Sequence, residues 1–178
     1  MADICCFQNI DSMLTNETIR QRLNEKFPDQ LTGWEEPYGM LTFTGPKEIN
    51  LKVLQFLFDD PELGFTFLTD LQAVHYPNNT GAELAVVYHL HNWKDNVRLR
   101  FKVFTDIAKP DVYSATALFQ SANFMERETY DFFGVNFVGH PNLIRILNVD
   151  EMDYFPLRKE YPLEDQTRID KDDEMFGR

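Results

Sequence analysis

The sequence is poor in cysteine: of its 178 residues only Cys5 and Cys6 are cysteines, and they are adjacent. Two adjacent thiols cannot form a disulfide framework. They also fall short of the four thiolates that an iron–sulfur cluster usually requires, so no cluster is expected on this chain alone. No base lies near them in the sequence, so a cysteine nucleophile is not expected either.

Long apolar runs and an excess of positive charge are also missing. No stretch approaches the roughly 20 apolar residues of a membrane span. The opening residues, MADICCFQNIDS, contain no Lys or Arg and do not resemble a signal peptide. The formal net charge of −12 disfavours binding to nucleic acid and direct adhesion to anionic lipid. We therefore expect a soluble cytoplasmic protein.

Common cofactor and metal motifs are absent as well. The segment GVNFVGH begins like a phosphate-binding loop, but His140 and Pro141 stand where that motif needs Lys and then Ser or Thr. His89 and His91 would share one face of a strand, as a pair of metal ligands can. No HExxH or CxxC motif supports a metal site there, which favours a hydrogen-bonded or half-exposed pair. His75 precedes Tyr-Pro and is predicted to be a turn residue.

Hydrophobic periodicity predicts both helices and strands. Apolar residues that recur every three or four positions predict helices at 16–27, 46–61 and, in two pieces capped by Ser114 and Ser121, 114–133. Alternation and β-forming residues predict strands at 37–45, 65–77, 82–92 and 96–104. The last strand carries cations on one face and pairs with its predecessor as an antiparallel hairpin.

The character of the sequence changes after Gly134. The following residues have repeated prolines and no long amphipathic period, and the final stretch is acidic. A long segment without regular structure is unusual inside a compact domain. We therefore predict a globular domain at 1–134 and an extended C-terminal arm at 135–178 that gains order on neighbouring subunits.

The segment ERETYDFFG, residues 126–134, concentrates charged and aromatic side chains. On a helix, Arg127 and Asp131 are four apart and can pair, whereas Glu128 and Asp131 are three apart and share a face. With His140 downstream, these carboxylates suit acid–base or metal chemistry. A solvated ion-pair face and a subunit interface anchored by aromatic residues and Arg are the alternatives. The density of both residue types favours the interface.

The run ERETYDFFGVNFVGH strongly resembles the signature of the 30-kDa subunit family of respiratory complex I, called the C subunit in bacteria. PLRKEYPL at 156–163 resembles the second hallmark of that family, and VVYHL and RLRFKV resemble its central strands. The sequence departs from the family at Ile144, where a basic residue is usual, and at Tyr154-Phe155, where Gly-His is common. The resemblance implies that the residues which dock on neighbouring subunits are Glu126, Arg127, Glu128, Asp131, Phe132, Phe133, Gly134, His140, Pro141, Arg145, Pro156, Leu157, Arg158, Lys159, Tyr161 and Pro162.

The resemblance also implies a fold and a role. The implied fold class is α+β, a two-layer domain with a mixed or antiparallel sheet flanked by helices, plus the extended C-terminal arm. Members are scaffold subunits in the peripheral arm of proton-translocating NADH:quinone oxidoreductase, at the cytoplasmic face of the bacterial inner membrane. The chain itself is expected to bind no cofactor and to catalyse no step, since flavin mononucleotide (FMN), iron–sulfur clusters and quinone belong to partner subunits. The implied partners are chiefly the 49-kDa-type subunit, also called the D subunit, and the B-type and I-type subunits, through which membrane association is indirect.

Two alternatives stay open at this point. Related membrane-bound hydrogenases and ferredoxin-linked quinone reductases contain an equivalent subunit, so the electron donor is not determined. A stand-alone acid–base or metal enzyme that uses Glu128, Asp131 and His140 belongs to a different functional class.

Overall fold

Five strands form the main sheet of the protein, whose computed structural model describes residues 14–161. In chain order they are β1 (Thr32–Glu35), β2 (Leu41–Gly45), β3 (Phe67–His75), β4 (Leu84–Asn92) and β5 (Val97–Thr105). Their order across the sheet is β1-β2-β5-β4-β3. Strands β2 and β5 are parallel and the other neighbouring pairs are antiparallel, so the predicted mixed sheet and the β4–β5 hairpin are confirmed.

Three α-helices and a small second sheet complete the described part of the chain. The helices are α1 (Asn16–Lys26), α2 (Asn50–Asp59) and α3 (Ala122–Phe133), and the second sheet pairs β6 (Asp111–Tyr113) in parallel with β7 (Asn136–Val138). The α+β fold class is therefore confirmed. None of the helices within residues 14–161 has the length and apolar character needed to cross a bilayer.

A row of aromatic rings crosses the buried face of the sheet. Trp34 stacks on Phe43 with ring centroids 4.9 Å apart, and Phe43 stacks on Phe101 at 5.0 Å. Tyr88 lies 5.8 Å from Phe101 on the other side. Buried residues of the first two helices join this core, among them Ile19, Leu23, Val53, Leu54 and Leu57. The alternate positions of β5 stay half-buried or exposed, as the sequence pattern predicts.

Some predicted boundaries differ from the structure. Residues 37–39 of the predicted strand form a 3₁₀ turn, in which Tyr38 has a left-handed backbone with φ 56°. The predicted helix at 46–61 begins with a second 3₁₀ turn, Lys47–Ile49, before α2. The strands β1 and β6 are not predicted, because four and three residues show too little alternation to be recognised.

Two predicted roles are wrong. Residues 114–121 form turns rather than a first helical piece, because the Ser114 hydroxyl binds the carboxylate of Glu126 instead of capping a helix. His75 is not a turn residue. It is the buried last residue of β3, and its ring accepts a hydrogen bond from a distant segment.

Replacing Phe101 tests where the core lies. Because Phe101 is fully buried in the aromatic row, Phe101→Ala is expected to lower the free energy of unfolding by about 3–5 kcal/mol, measured by urea denaturation. Phe104→Ala, on the half-buried side of the same strand, serves as the control and is expected to cost less. Equal losses from the two variants would contradict a core confined to one face of the sheet.

Candidate functional site

The site begins where α3 ends. Gly134 has φ 75°, a left-handed conformation that glycine adopts without strain, and its N–H donates to the carbonyl of Tyr130 at 2.8 Å. A Cβ at this position would lie 2.5 Å from Phe155 and 2.6 Å from Arg158. The glycine therefore ends the helix and also leaves room for the following chain to pack against the helix end. From here on, the arm means residues 139–161, the described part of the predicted arm that follows β7.

The arm is held by the side chain of Asp131, which is fully buried. Its Oδ2 accepts hydrogen bonds from three successive backbone N–H groups, those of Ile146 (3.1 Å), Leu147 (2.8 Å) and Asn148 (2.9 Å). Its Oδ1 accepts from the Asn148 side chain at 3.0 Å and from Arg145 at 2.7 Å. Successive N–H groups of this kind form a concavity that binds an anion. Here the anion belongs to the protein itself.

The hydrogen-bond donors around Asp131 determine its protonation state. Burial alone raises the pKa of a carboxyl group, and it is the largest single influence here. The hydrogen bonds from Asn148, Leu147 and Arg145 together outweigh burial and hold the pKa of Asp131 well below its usual range. The carboxylate therefore stays ionised while it fastens the arm, and its oxygens are saturated with donors.

Arg145 extends the same network along the arm. Besides the ion pair with Asp131, its guanidinium donates to the carbonyl of Met152 at 2.6 Å and to that of Tyr154 at 3.3 Å. Its side chain is only 11% exposed. One guanidinium thus joins the start of the arm, the end of α3 and the later part of the arm.

The last described part of the arm packs on the helix end and on the sheet. The guanidinium carbons of Arg145 and Arg158 lie 5.4 Å and 4.6 Å from the centre of the Phe155 ring. Arg158 also donates to the carbonyl of Phe133 at 2.7 Å. The backbone N–H of Lys159 then donates to Nδ1 of His75 at 2.9 Å. The arm therefore returns as far as the end of β3.

A second buried carboxylate, Glu126, lies in the first half of α3. One of its oxygens accepts from the Ser114 hydroxyl at 2.6 Å and the other from the N–H of Ala115 at 2.6 Å. Burial raises the pKa of Glu126 to about 7, although both hydrogen bonds act in the opposite direction. Burial and the nearby Glu126 also raise the pKa of Tyr88. Glu126 therefore joins α3 to the segment after β6.

The pair that helix spacing allows between Arg127 and Asp131 does not form. Asp131 points into the arm and pairs with Arg145, whereas Arg127 donates to the backbone carbonyls of Ile144 (3.2 Å) and Arg145 (3.3 Å). Glu128 is exposed on the same helix and makes none of these contacts. The helix positions are neighbours as predicted, but tertiary donors displace the local partner.

Other signature residues occupy varied environments. Phe132, Phe133, His140 and Pro156 are half-buried, while Pro141, Leu157 and Tyr161 are exposed. Pro162, like Cys5 and Cys6, lies outside the described residues. The structure also gives roles to Ser114, Asn148 and Phe155, which the sequence pattern does not single out. Their partners lie too far along the chain for any periodic signal to reveal them.

His140 is held by backbone groups. His140 donates from Nε2 to the carbonyl of Asn123 at 3.1 Å, and its Nδ1 accepts from the N–H of Asn142 at 3.0 Å. Across residues 14–161, no three His, Cys, Asp or Glu side chains form a group that suits a metal ion. His89 and His91 take separate partners, Arg100 at 2.8 Å and Asn96 at 3.0 Å.

Removing the charge of Asp131 is expected to release the arm. Asp131→Asn leaves buried donors and Arg145 without their anion, so we expect the free energy of unfolding to fall by about 3–5 kcal/mol. Limited proteolysis is expected to cut first within residues 139–161. Glu128→Gln, on the same helix but outside this network, is the matched control, with an expected change of about 0.5 kcal/mol or less. An arm as resistant in Asp131→Asn as in the wild type would contradict this anchoring.

The raised pKa of Glu126 predicts a pH dependence of stability. Its ordinary value of 4.5 rises to about 7 in the folded protein, so the folded state holds more protons than the unfolded state between these values. The free energy of unfolding therefore falls as pH rises through this window and levels off above it.

Glu126→Gln removes that contribution. Relative to the wild type, its free energy of unfolding is expected to rise across the same window by up to about 3 kcal/mol, measured by urea denaturation at a series of pH values. Glu128→Gln is the control and is expected to run parallel to the wild type. A parallel profile for Glu126→Gln would show that Glu126 titrates normally.

Comparisons with known proteins agree with one another. The family model described as respiratory-chain NADH dehydrogenase, 30 Kd subunit, matches residues 43–167. The C subunit of NADH-quinone oxidoreductase from Citrifermentans bemidjiense is 42% identical over 156 residues, which are 88% of this chain and 95% of the relative. The equivalent protein of Roseiflexus sp. (strain RS-1) is also 42% identical, over 84% of this chain and 86% of its own.

Two solved structures share the fold. The trypsin-resistant fragment of Nqo5 aligns with a TM-score of 0.59 at 31% identity, over 70% of this chain and 98% of the fragment. A chain of an archaeal respiratory membrane complex, the membrane-bound sulfane sulfur reductase, aligns with a TM-score of 0.70 at 26% identity, over 83% and 85% of the two chains. The matched family segment contains the whole of α3 and the arm. The chain therefore belongs to the 30-kDa subunit family of respiratory-chain NADH dehydrogenase, whose bacterial members are named as C subunits of NADH-quinone oxidoreductase.

Proposed function

We propose that the chain is a non-catalytic scaffold subunit in the peripheral arm of a proton-translocating NADH:quinone oxidoreductase. The observation that supports a scaffold best is how the signature charges are used. Asp131, Arg145 and Arg158 are all engaged in holding the arm. Chemistry needs an accessible group, whereas these side chains order a surface.

The ordered arm presents apolar side chains to solvent. Ile144 is 52% exposed, Leu147 and Val149 are each 63% exposed, and Leu157 is 48% exposed. We call these four side chains the apolar ridge. Exposed apolar residues grouped on one segment are typical of a protein contact. Because the arm is already fixed by Asp131, binding has less conformational entropy to overcome.

We assign the apolar ridge to contact with the 49-kDa-type partner, the D subunit of the complex. The B-type and I-type subunits are assigned as further neighbours. An apolar surface that is rigid before binding suits a permanent contact with a large partner, because permanent interfaces are more apolar than transient ones. This use of the arm supports a role in assembly.

The proposed role also assigns the cofactors to other subunits and the chain to a cellular location. FMN, iron–sulfur clusters and quinone are assigned to partner subunits. The chain is assigned to the cytoplasmic face of the bacterial inner membrane, bound indirectly through its partners. An equivalent subunit of another membrane-bound complex is the second candidate, because the sulfane sulfur reductase chain shares the fold over most of its length.

Affinity purification of the tagged chain from gently solubilised membranes tests these assignments. Large partner subunits that contain flavin and iron–sulfur clusters, together with NADH-dependent quinone reduction, are the expected result. Recovery of partners that use hydrogen or reduced ferredoxin, with no oxidation of NADH, would favour the second candidate. Recovery of the chain alone would contradict both.

Charge placed on the apolar ridge is expected to reduce assembly without unfolding the chain. Ile144→Glu combined with Leu147→Glu adds charge to two exposed positions, so the free energy of unfolding of the isolated chain is expected to change little. The yield of purified complex is expected to fall severalfold, while turnover per assembled complex is unchanged. Val138→Glu, at an exposed apolar position on β7 (43% exposed), is the control. Normal yield from the double variant would remove the ridge from the interface.

A further inference from the structure

A strip of positive charge lies on the side of the sheet opposite the aromatic core. Arg98, Arg100 and Lys102 occupy alternate positions of β5 and point away from the buried Leu99 and Phe101. At about 3.3 Å per residue, the strip spans about 13 Å. Arg98 is exposed and the other two are half-buried. We call this strip, with the aromatic pairs that flank it, the cationic face.

Aromatic pairs flank the strip at both ends. At one end the rings of Phe67 and Trp93 are 5.2 Å apart, and Trp93 is 65% exposed. At the other end Tyr76 lies 5.9 Å from Phe104 and is 40% exposed. Exposed Trp and Tyr beside Arg are the composition that anchors protein interfaces.

The strip is only partly neutralised by its neighbours. Arg100 donates to Nε2 of His89 at 2.8 Å, and Nδ1 of His89 lies 3.4 Å from a carboxylate oxygen of Asp70. Burial and the charge of Arg100 lower the pKa of His89, which keeps the imidazole neutral. Within residues 14–161, Arg98 and Lys102 form no ion pair. Two cations of the strip are therefore available to an external anion.

The cationic face and the arm lie on different surfaces. His75, which holds Lys159 of the arm, belongs to the row of β3 that faces the core. Tyr76, the next residue, pairs with Phe104 on the cationic face. A molecule with contacts on both surfaces can connect two neighbours, as a scaffold must.

We propose that the cationic face is a second docking surface, which binds a carboxylate-rich protein surface on another member of the complex. The inference rests on the proposed function, and charge complementarity identifies the partner. The chain carries a net charge of −12, so this strip is a local exception whose complement is acidic. A symmetric pair of copies of this chain would bring the same strip against itself, and like charges in a shared interface repel.

Chemical footprinting of Lys102 tests the proposal. The free chain and the complex purified through it are treated with an amine-acylating reagent, and acylation at each lysine is measured by mass spectrometry. Lys102 is expected to react severalfold less in the complex than in the free chain. A water-soluble carbodiimide is expected to link the Lys102 ammonium to an Asp or Glu of a partner. Lys26 and Lys52, exposed on α1 and α2, report reagent activity in both samples.

The outcomes separate this inference from the proposed function. If the complex is recovered but Lys102 reacts as in the free chain, the cationic face is not an interface, and the scaffold role stands. Protection that disappears when lipid is removed assigns the face to a lipid headgroup and overturns the proposal, as does a link only to a second copy of this chain. If no partner is recovered, the proposed function fails and the inference fails with it.

A pair of charge reversals provides a second measurement. Arg98→Glu with Lys102→Glu is compared with Lys26→Glu plus Lys52→Glu, which changes the net charge equally. The first variant is expected to yield less complex than the second at low salt, and this deficit is expected to shrink as salt is added, because salt screens the repulsion that only this variant places in the contact. The same salt dependence for both variants would overturn the proposal.

Discussion

A buried carboxylate requires either a proton or enough donors, and Asp131 has the donors. Five hydrogen bonds converge on its two oxygens, four of them from residues 146–148 and one from Arg145. Because residues 139–161 have little regular secondary structure, they cannot satisfy their own backbone groups as a helix does. The carboxylate of Asp131 accepts hydrogen bonds from three of these backbone N–H groups. The course of the arm, the place of Arg145 and the packing of Phe155 all depend on it.

The same helix contains a carboxylate in the opposite situation. Glu126 is as completely buried as Asp131 but accepts only two hydrogen bonds. Its pKa is therefore raised to about 7, whereas the pKa of Asp131 is lowered. Burial is the largest single influence on both groups, and the hydrogen bonds together outweigh it at Asp131 but not at Glu126. The permanent charge belongs to the residue that anchors the arm.

The contacts between α3 and the arm give the charged residues of the family signature a structural role. Charged residues that resemble catalytic groups are used to fix a segment whose apolar side chains remain outside. A surface ordered before its partner arrives binds with a smaller entropic penalty than a segment that folds on contact. Together with the cationic face across the sheet, the ridge of the arm gives the domain two chemically different surfaces. One is apolar and the other is charged and aromatic, so they suit different partners.

Features that depend on neighbouring residues could be predicted from the amino-acid sequence alone. The alternation at 96–104 indicated β5 and its cationic side, the spacing of apolar residues indicated α1 and α2, and Gly134 marked the end of α3. The order of the sequence motifs identified the family, because motif order can be read without coordinates. Three-dimensional packing was needed to show that Asp131 pairs with Arg145 rather than Arg127. It also showed that Ser114 binds Glu126 and that His75 holds Lys159. Each of these partners is 12 or more residues away in the chain, where periodicity carries no information and packing alone selects the donor.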